Sequence, residues 1–285
     1  MIGRGLTPIA DGFALRPVPC NLNPALSQIT TVFFDLGDTL WHLPKMPPPE
    51  QVRGQTMRQV GELVKSWGYE MTDGRRMLGR DVRLEVEDVT RRAFHGDCVD
   101  PDYPDLCRRV AAMHSIELSR EQAEQLWEAW NLGGLFLGRE LFPDVPDTLA
   151  ELARRGYRLA SITNRGYGGP KFWDEVREFK LDKIFEDIVV SCDVGYLKPH
   201  PRIYQYALEK MRLEADECVM VGDSMRADVE GSKTLGMTAV WRRPRLDEPV
   251  EEATDEPEIT GPVVPDYTIR EIGELLELPI LRGSR

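Results

Sequence analysis

Paired cysteines are missing from this chain, and histidine is scarce. Five cysteines stand at positions 20, 98, 107, 192 and 218, with no CxxC pair, and only four histidines accompany them in 285 residues. That spacing excludes a zinc ribbon and a disulfide framework and predicts reduced thiols in a cytoplasmic protein. Positive charge is also short. Thirty-six Lys and Arg face 48 Asp and Glu, a net charge of −12. Such a surface repels polyphosphate, which argues against nucleic acid or an anionic membrane as partner. No apolar run approaches the roughly 18 residues of a membrane span. The first 28 residues lack the charged-then-apolar order of a secretory signal and read as an N-terminal extension.

What is present suits a folded enzyme. Hydrophobic residues make up 41% of the chain, enough for a sizeable core. "TVFFDL" (31–36) is a continuous apolar run ending on an acid, the pattern of a strand buried on both faces. Residues 50 to about 132 read as helical throughout, with apolar residues at Val52, Met57, Val60, Val64 and Trp67 near helical spacing. Ser119 and Gln122 form a capping box ahead of "AEQLWEAW". From Pro143 onward strands alternate with helices: "YRLASITN", "IFEDIVVS", "CVMVGDS" and "MTAVW" are the strands. Alternation of this kind predicts an α/β fold, a doubly wound parallel sheet with helices on both faces. The helical block then becomes an insertion after the first strand. The expected division is a core of residues 29–43 and 143–285, an all-helical cap of 44–142, and an acidic surface loop at 246–263 within the core. Seven acids and no base between 246 and 260 carry that last expectation.

Chemistry-bearing residues gather at strand ends. Asp35 ends the first strand, Thr163 and Asn164 end "RLASITN", Lys198 follows "DIVVS", and Asp223 ends "CVMVGDS" with Asp228 five residues on. In doubly wound sheets, ligands bind beyond the carboxyl ends of the strands, so these residues should converge. Carboxylates, an ammonium and a hydroxyl together can hold Mg²⁺ and a phosphate, with one carboxylate free to attack phosphorus. Taken singly, each has a plainer role: strand-end Asp and Thr cap turns, and a lone lysine is usually solvated.

With these four motifs in this order, "DLGDT", "SITN", "LKPHPRIY" and "VGDSMRADVEGSKTLGM", the chain resembles the haloacid dehalogenase superfamily. It is most similar to phosphatase-type members with a helical, C1-type cap. The resemblance implies a Rossmann-like core and hydrolysis of a small phosphorylated metabolite. It implies Asp35 as nucleophile, Thr163 and the Asn164 backbone on the phosphoryl oxygens, and Lys198 neutralising the paired anions. It also implies Mg²⁺ held by Asp35, the Gly37 carbonyl and Asp223, with Asp228 supporting the metal site from behind. One place departs from the pattern. Family phosphatases carry a second aspartate two residues after the nucleophile, where this chain has Gly37. Thr39 fixes the register, so Asp38 occupies the next place. In an extended chain residue 37 shares the face of Asp35 and residue 38 points away. Asp38 is therefore either a turn residue or a displaced acid. His42 is a further candidate proton donor, with a polar loop role as its alternative. Two rival readings follow: a 2-haloacid dehalogenase, which needs no Mg²⁺, and a pseudo-phosphatase that binds without turnover.

Overall fold

The computed structural model describes residues 28–244 and 263–282, so the N-terminal extension up to residue 27 and most of the acidic loop lie outside the described residues. The strands are β1 (Thr31–Phe34), β2 (Trp41–His42), β3 (Glu140–Leu141), β4 (Arg158–Thr163), β5 (Asp187–Val190), β6 (Cys218–Gly222), β7 (Thr238–Arg242) and β8 (Tyr267–Ile269). Six of them form one parallel sheet in the order β5-β4-β1-β6-β7-β8, an α/β Rossmann-like fold as expected. Every residue of β1 is buried, which is why its sequence runs apolar without alternation. Side-chain alternation still sorts the faces. Val32 and Phe34 pack with Val145, Leu149 and Leu152 on one side. Phe33 packs with Ile203, Tyr204 and Ala207 on the other. Burying each of these aromatic rings contributes about 1.5–3 kcal/mol.

The sheet order places β1 between β4 and β6. The chain leaves β1, returns as β4 on one side, and later crosses to β6 on the other. That reversal opens a crevice at the carboxyl end of β1, where ligands bind in folds of this kind. Helices α1 (Pro49–Ser66), α2 (Leu78–His95), α3 (Tyr103–Met113) and α4 (Arg120–Trp130) fill the interval after β1. Pro49 opens α1 at the one helical position where its missing N–H costs nothing. Ser119 and Gln122 make the expected reciprocal cap of α4. Helices α5 (Val145–Arg154), α6 (Pro170–Glu178), α7 (Ser191–Val194), α8 (Pro201–Met211) and α9 (Gly231–Lys233) follow among the later strands. Among the described residues, no helix is long and apolar enough to cross a membrane.

Three details depart from the sequence pattern. A two-residue antiparallel ribbon, β2 with β3, ties the two chain crossings into and out of the helical block; two residues are too few to show a period. The stretch after Ser224 is a wide π-type turn, Met225–Glu230, followed by the single turn of α9, where "RADVEGSKTLG" predicts a plain helix. Residues Ile272–Glu277 form a 3₁₀ helix, where "PDYTIREIGELLEL" predicts a short strand and a helix.

The returning crossing is clamped by α6. Glu175, with no exposed surface, accepts from the Gly134 N–H at 2.5 Å and pairs with Arg139 at 3.4 Å and Arg165 at 3.2 Å. Lys171 donates to the carbonyls of Glu128 and Asn131 at the end of α4. Burial pulls the Arg139 guanidinium down to about 10, and the neighbouring Arg165 adds to this while Glu175 opposes it. Glu175→Ala leaves two guanidiniums without their buried counter-charge. Urea denaturation should show a loss of about 3–5 kcal/mol; a loss below about 1 kcal/mol would mean the clamp is not carried by this carboxylate.

Candidate active site

Asp35 is placed by the sheet itself. It follows β1 directly, and its N–H bonds the Val221 carbonyl of β6 at 2.8 Å. Its Oδ1 accepts from Lys198 Nζ at 2.6 Å. The same ammonium donates to Asp228 Oδ1 at 2.7 Å and to the Ile162 carbonyl of β4 at 2.7 Å. Lys198 is 1% exposed, so the solvated-lysine alternative is overturned. Three elements thus meet on one cation. Asn164 fixes the approach of that lysine: its Oδ1 accepts from the Lys198 N–H at 2.6 Å and its Nδ2 donates to the Lys198 carbonyl at 2.9 Å.

Asp223 follows β6 and is held from two sides. Thr39 Oγ1 donates to its Oδ1 at 3.1 Å, and Trp241 Nε1 donates to its carbonyl at 2.8 Å. Thr39, used above only to set register, is therefore joined to the cluster through Asp223. Asp228 turns inward from the wide turn and accepts the Ser224 N–H on Oδ2 at 3.1 Å. It lies flat against Gly222: a Cβ there would sit 2.1 Å from the Asp228 carboxyl carbon. Glycine is what lets this carboxylate reach Lys198. Thr163 is buried at the end of β4, and its hydroxyl has no protein hydrogen-bond partner among the described residues.

Negative charge outnumbers positive here. Burial, and then the charges of Asp35, Asp228 and Asp38, push Asp223 well above the usual carboxylate range, against the pull of Lys198. Burial likewise raises Asp228 to about 6, opposed by Lys198. For Lys198, burial favours the neutral amine, but Asp228 and Asp35 outweigh it and hold the ammonium charged. No group of three or more His, Cys, Asp or Glu forms a ready metal cage among the described residues. The donor set still fits Mg²⁺: carboxylates at the ends of two neighbouring strands, in a site short of positive charge.

The Gly37–Asp38 turn answers the question of the missing acid in part. A Cβ on Gly37 would lie 3.9 Å from Asp35 Oδ2 with nothing nearer, so residue 37 does share the side of Asp35. The bend falls on Asp38, whose φ is 47°, in the left-handed region that Asp tolerates better than most residues. The Asp38 carbonyl accepts from buried Arg242 at 2.8 Å, and its N–H bonds the Trp41 carbonyl at 2.8 Å. Sequence reading missed Arg242, since a strand arginine carries no motif. The His42 ring stacks on Phe142 at 4.2 Å, and its imidazole makes no hydrogen bond among the described residues. The structure gives it packing rather than contact with Asp35.

The helical insertion touches the core beside this crevice. Leu197 N–H bonds the Cys98 carbonyl at 2.8 Å, one residue before Lys198. Trp127 Nε1 donates to the Gly166 carbonyl at 3.1 Å, two residues after Asn164. Trp127 is stacked between Tyr103 and Trp130, at 4.8 and 5.2 Å.

A model of the haloacid dehalogenase-like hydrolase family matches residues 29–236. A glyceraldehyde 3-phosphate phosphatase of Pyrococcus abyssi is 38% identical over 100 residues, 35% of this chain and 41% of that protein. The chain therefore spans under half the length of that relative. The namesake from Methanopyrus kandleri is 26% identical over 258 residues, 88% of this chain and 97% of that protein. The solved Bacillus subtilis protein YfnB, described as a HAD-hydrolase bound to magnesium, has a TM-score of 0.51 and 18% identity over 88% of this chain and 98% of that one.

Gly222→Ala forces a methyl into the Asp228 carboxylate. It should cost about 1–3 kcal/mol in urea denaturation. An effect within about 0.5 kcal/mol would show that the carboxylate can retreat without loss.

Proposed function

This chain belongs to the haloacid dehalogenase-like hydrolases, and from that premise we propose that it is a Mg²⁺-dependent phosphatase of small phosphorylated metabolites. One observation carries the reading: a fully buried lysine bonded to Asp35 and Asp228 in a crevice that also holds Asp223 and an unbonded Thr163 hydroxyl. In this reading residues 44–142 are the cap over a core of 29–43 and 143–285.

Asp35 Oδ2 attacks phosphorus, since Oδ1 is engaged by Lys198. An Oδ2–P bond forms, the bond from phosphorus to the leaving oxygen breaks, and that oxygen takes up a proton. Water then hydrolyses the aspartyl phosphate. Lys198 removes the repulsion between an approaching carboxylate and a phosphate. Thr163 and the Asn164 backbone bind the phosphoryl oxygens. Asp35, Asp223 and the Gly37 carbonyl would hold Mg²⁺, with Asp228 behind them. When bound, the ion supplies the positive charge that the carboxylates lack.

Gly37 leaves the leaving oxygen without its customary acid, and general acid–base help is worth about 10²–10⁴-fold. An aryl phosphate, whose leaving oxygen needs no proton, should turn over far faster than an alkyl phosphate. Asp35→Asn should abolish turnover of both. Gly37→Asp has room for its Cβ, and should raise alkyl turnover by up to about 10²-fold. If Asp38→Ala alone destroys alkyl turnover, the acid has moved by one residue and the alternation argument fails. His42 and Asp38 otherwise remain outside the proton path.

The glycine also suits a 2-haloacid dehalogenase, which would release halide without Mg²⁺. The acidic pair Asp223 and Asp228 favours phosphate chemistry over it. Magnesium should raise the thermal midpoint of the wild type, and Asp223→Ala should remove that rise. Halide release unaffected by a chelator would move the assignment to a dehalogenase. Mg²⁺ binding with no turnover of any phosphate would leave a pseudo-phosphatase.

A further inference from the structure

Asp38 is held at a φ of 47°, and two hydrogen bonds fix the peptides on either side of it. Its N–H donates to the Trp41 carbonyl at 2.8 Å. Its carbonyl accepts from Arg242 Nη1 at 2.8 Å. The left-handed conformation is unfavourable for a residue with a Cβ, and the relaxed helical and extended conformations differ from it in both φ and ψ. Relaxation therefore turns both peptides. Turning the first swings the Gly37 carbonyl, which in a trans peptide shares a plane with the Asp38 N–H and points the opposite way. Turning the second moves Thr39, whose hydroxyl donates to Asp223 Oδ1 at 3.1 Å. Gly37, lacking a Cβ, resists the first rotation less than any other residue would.

Arg242 itself has little freedom. It ends β7, is 1% exposed, and its guanidinium lies over the Phe142 ring at 4.2 Å. Phe142 is tied to the same turn, since its N–H bonds the Leu40 carbonyl at 3.0 Å. The preceding strand residue braces the other carboxylate segment: Trp241 Nε1 donates to the Asp223 carbonyl at 2.8 Å. Successive strand residues project to opposite faces. One strand end thus holds Asp223 with one side chain and the Asp38 turn with the next.

We propose that Arg242 is a positioning residue: through the Asp38 carbonyl it keeps the turn in its left-handed form, and so sets the Gly37 carbonyl and Thr39 for a divalent cation at Asp35 and Asp223. The inference rests on the Mg²⁺ reading for the identity of that cation. Arg242 acts through the backbone, and its effect falls on metal affinity. Partners that orient metal ligands are typically worth about 10–100-fold there.

The test is calorimetric titration with Mg²⁺, joined to amide hydrogen exchange on the metal-free protein. The variants are Arg242→Met, which keeps bulk over Phe142 but has no donor, Arg242→Lys, which keeps one, and Leu152→Ala, a core truncation in α5. Arg242→Met should bind Mg²⁺ about 10-fold or more weakly than the wild type. Its Asp38 amide should lose protection while the Asp35 amide, bonded to Val221, keeps it. Arg242→Lys should recover most of both. Leu152→Ala should be less stable yet bind Mg²⁺ as the wild type does. If Arg242→Met does not fold, Arg242→Gln takes its place, because its amide ends short of the Nη1 position. Affinity within about twofold of the wild type in the Met or Gln variant, against the loss expected of an orienting partner, overturns the proposal. So does an Asp38 amide that stays protected, or an equal loss of affinity in Leu152→Ala. A wild type that binds no Mg²⁺ overturns it together with the metal reading. Mg²⁺ binding that depends on Arg242, in a wild type inert toward every phosphate, supports the proposal and sinks the phosphatase reading alone.

Discussion

The Lys198 ammonium is the constraint on which the site is built. A cation with 1% exposure is tolerable only if every one of its protons finds an acceptor, and it finds three: Asp35, Asp228 and the Ile162 carbonyl. Those acceptors come from the end of β1, from the turn after β6 and from β4. Each must arrive at the right height, so the parallel register of Phe34 with Ser161 and with Val221 is tied to the ion pair. Removing one partner of a buried ion pair costs about 3–5 kcal/mol, because the other is left charged in a poor solvent. Gly222 and Asn164 are consequences of the same demand. The glycine makes space for Asp228, and the asparagine side chain grips the Lys198 backbone from both sides.

Satisfying the lysine creates the next imbalance. One ammonium serves Asp35 and Asp228, and Asp223 remains beside them with its own charge penalised by burial. A site in that state gains from any added cation. It gains again from a phosphoryl group only once that cation is present. The proposed use of Mg²⁺ thus follows from the electrostatics as well as from the motif order. The turn that would lend the Gly37 carbonyl is braced independently. Arg242 binds the Asp38 carbonyl and lies over the Phe142 ring at 4.2 Å, while His42 stacks on the same ring. The ribbon of β2 and β3 and the core strand β7 are joined through this stack.

How much could be read beforehand depended on how strongly each feature writes a local pattern. The parallel sheet was legible because β1 and β6 are buried on both faces and therefore run apolar. The convergence of Asp35, Lys198, Asp223 and Asp228 was legible from their positions at strand ends. The helices of the insertion were legible from spacing and from the Ser119 cap. What escaped were contacts that depend on tertiary placement. Glu175, buried under Arg139 and Arg165, looks in sequence like any helix glutamate. Asp100 sits in "DCVDPDYPD", inside the stretch read as helical throughout, and nothing in those residues marks a buried acid. The wide turn after Ser224 escaped because its cause is Asp228 reaching inward to a lysine 30 residues away.

Gly37 sits in a closely braced turn. Thr39 bonds Asp223, Arg242 holds the Asp38 carbonyl, and Asp35 is bonded to Lys198. The glycine is not required by the backbone, because the left-handed conformation falls on Asp38 and not on Gly37. A side chain at 37 would enter open space beside Asp35 Oδ2. Neither conformational strain nor crowding accounts for the glycine, so its effect lies in the chemistry it omits. In the proposed reaction, a proton must then reach the leaving oxygen from elsewhere.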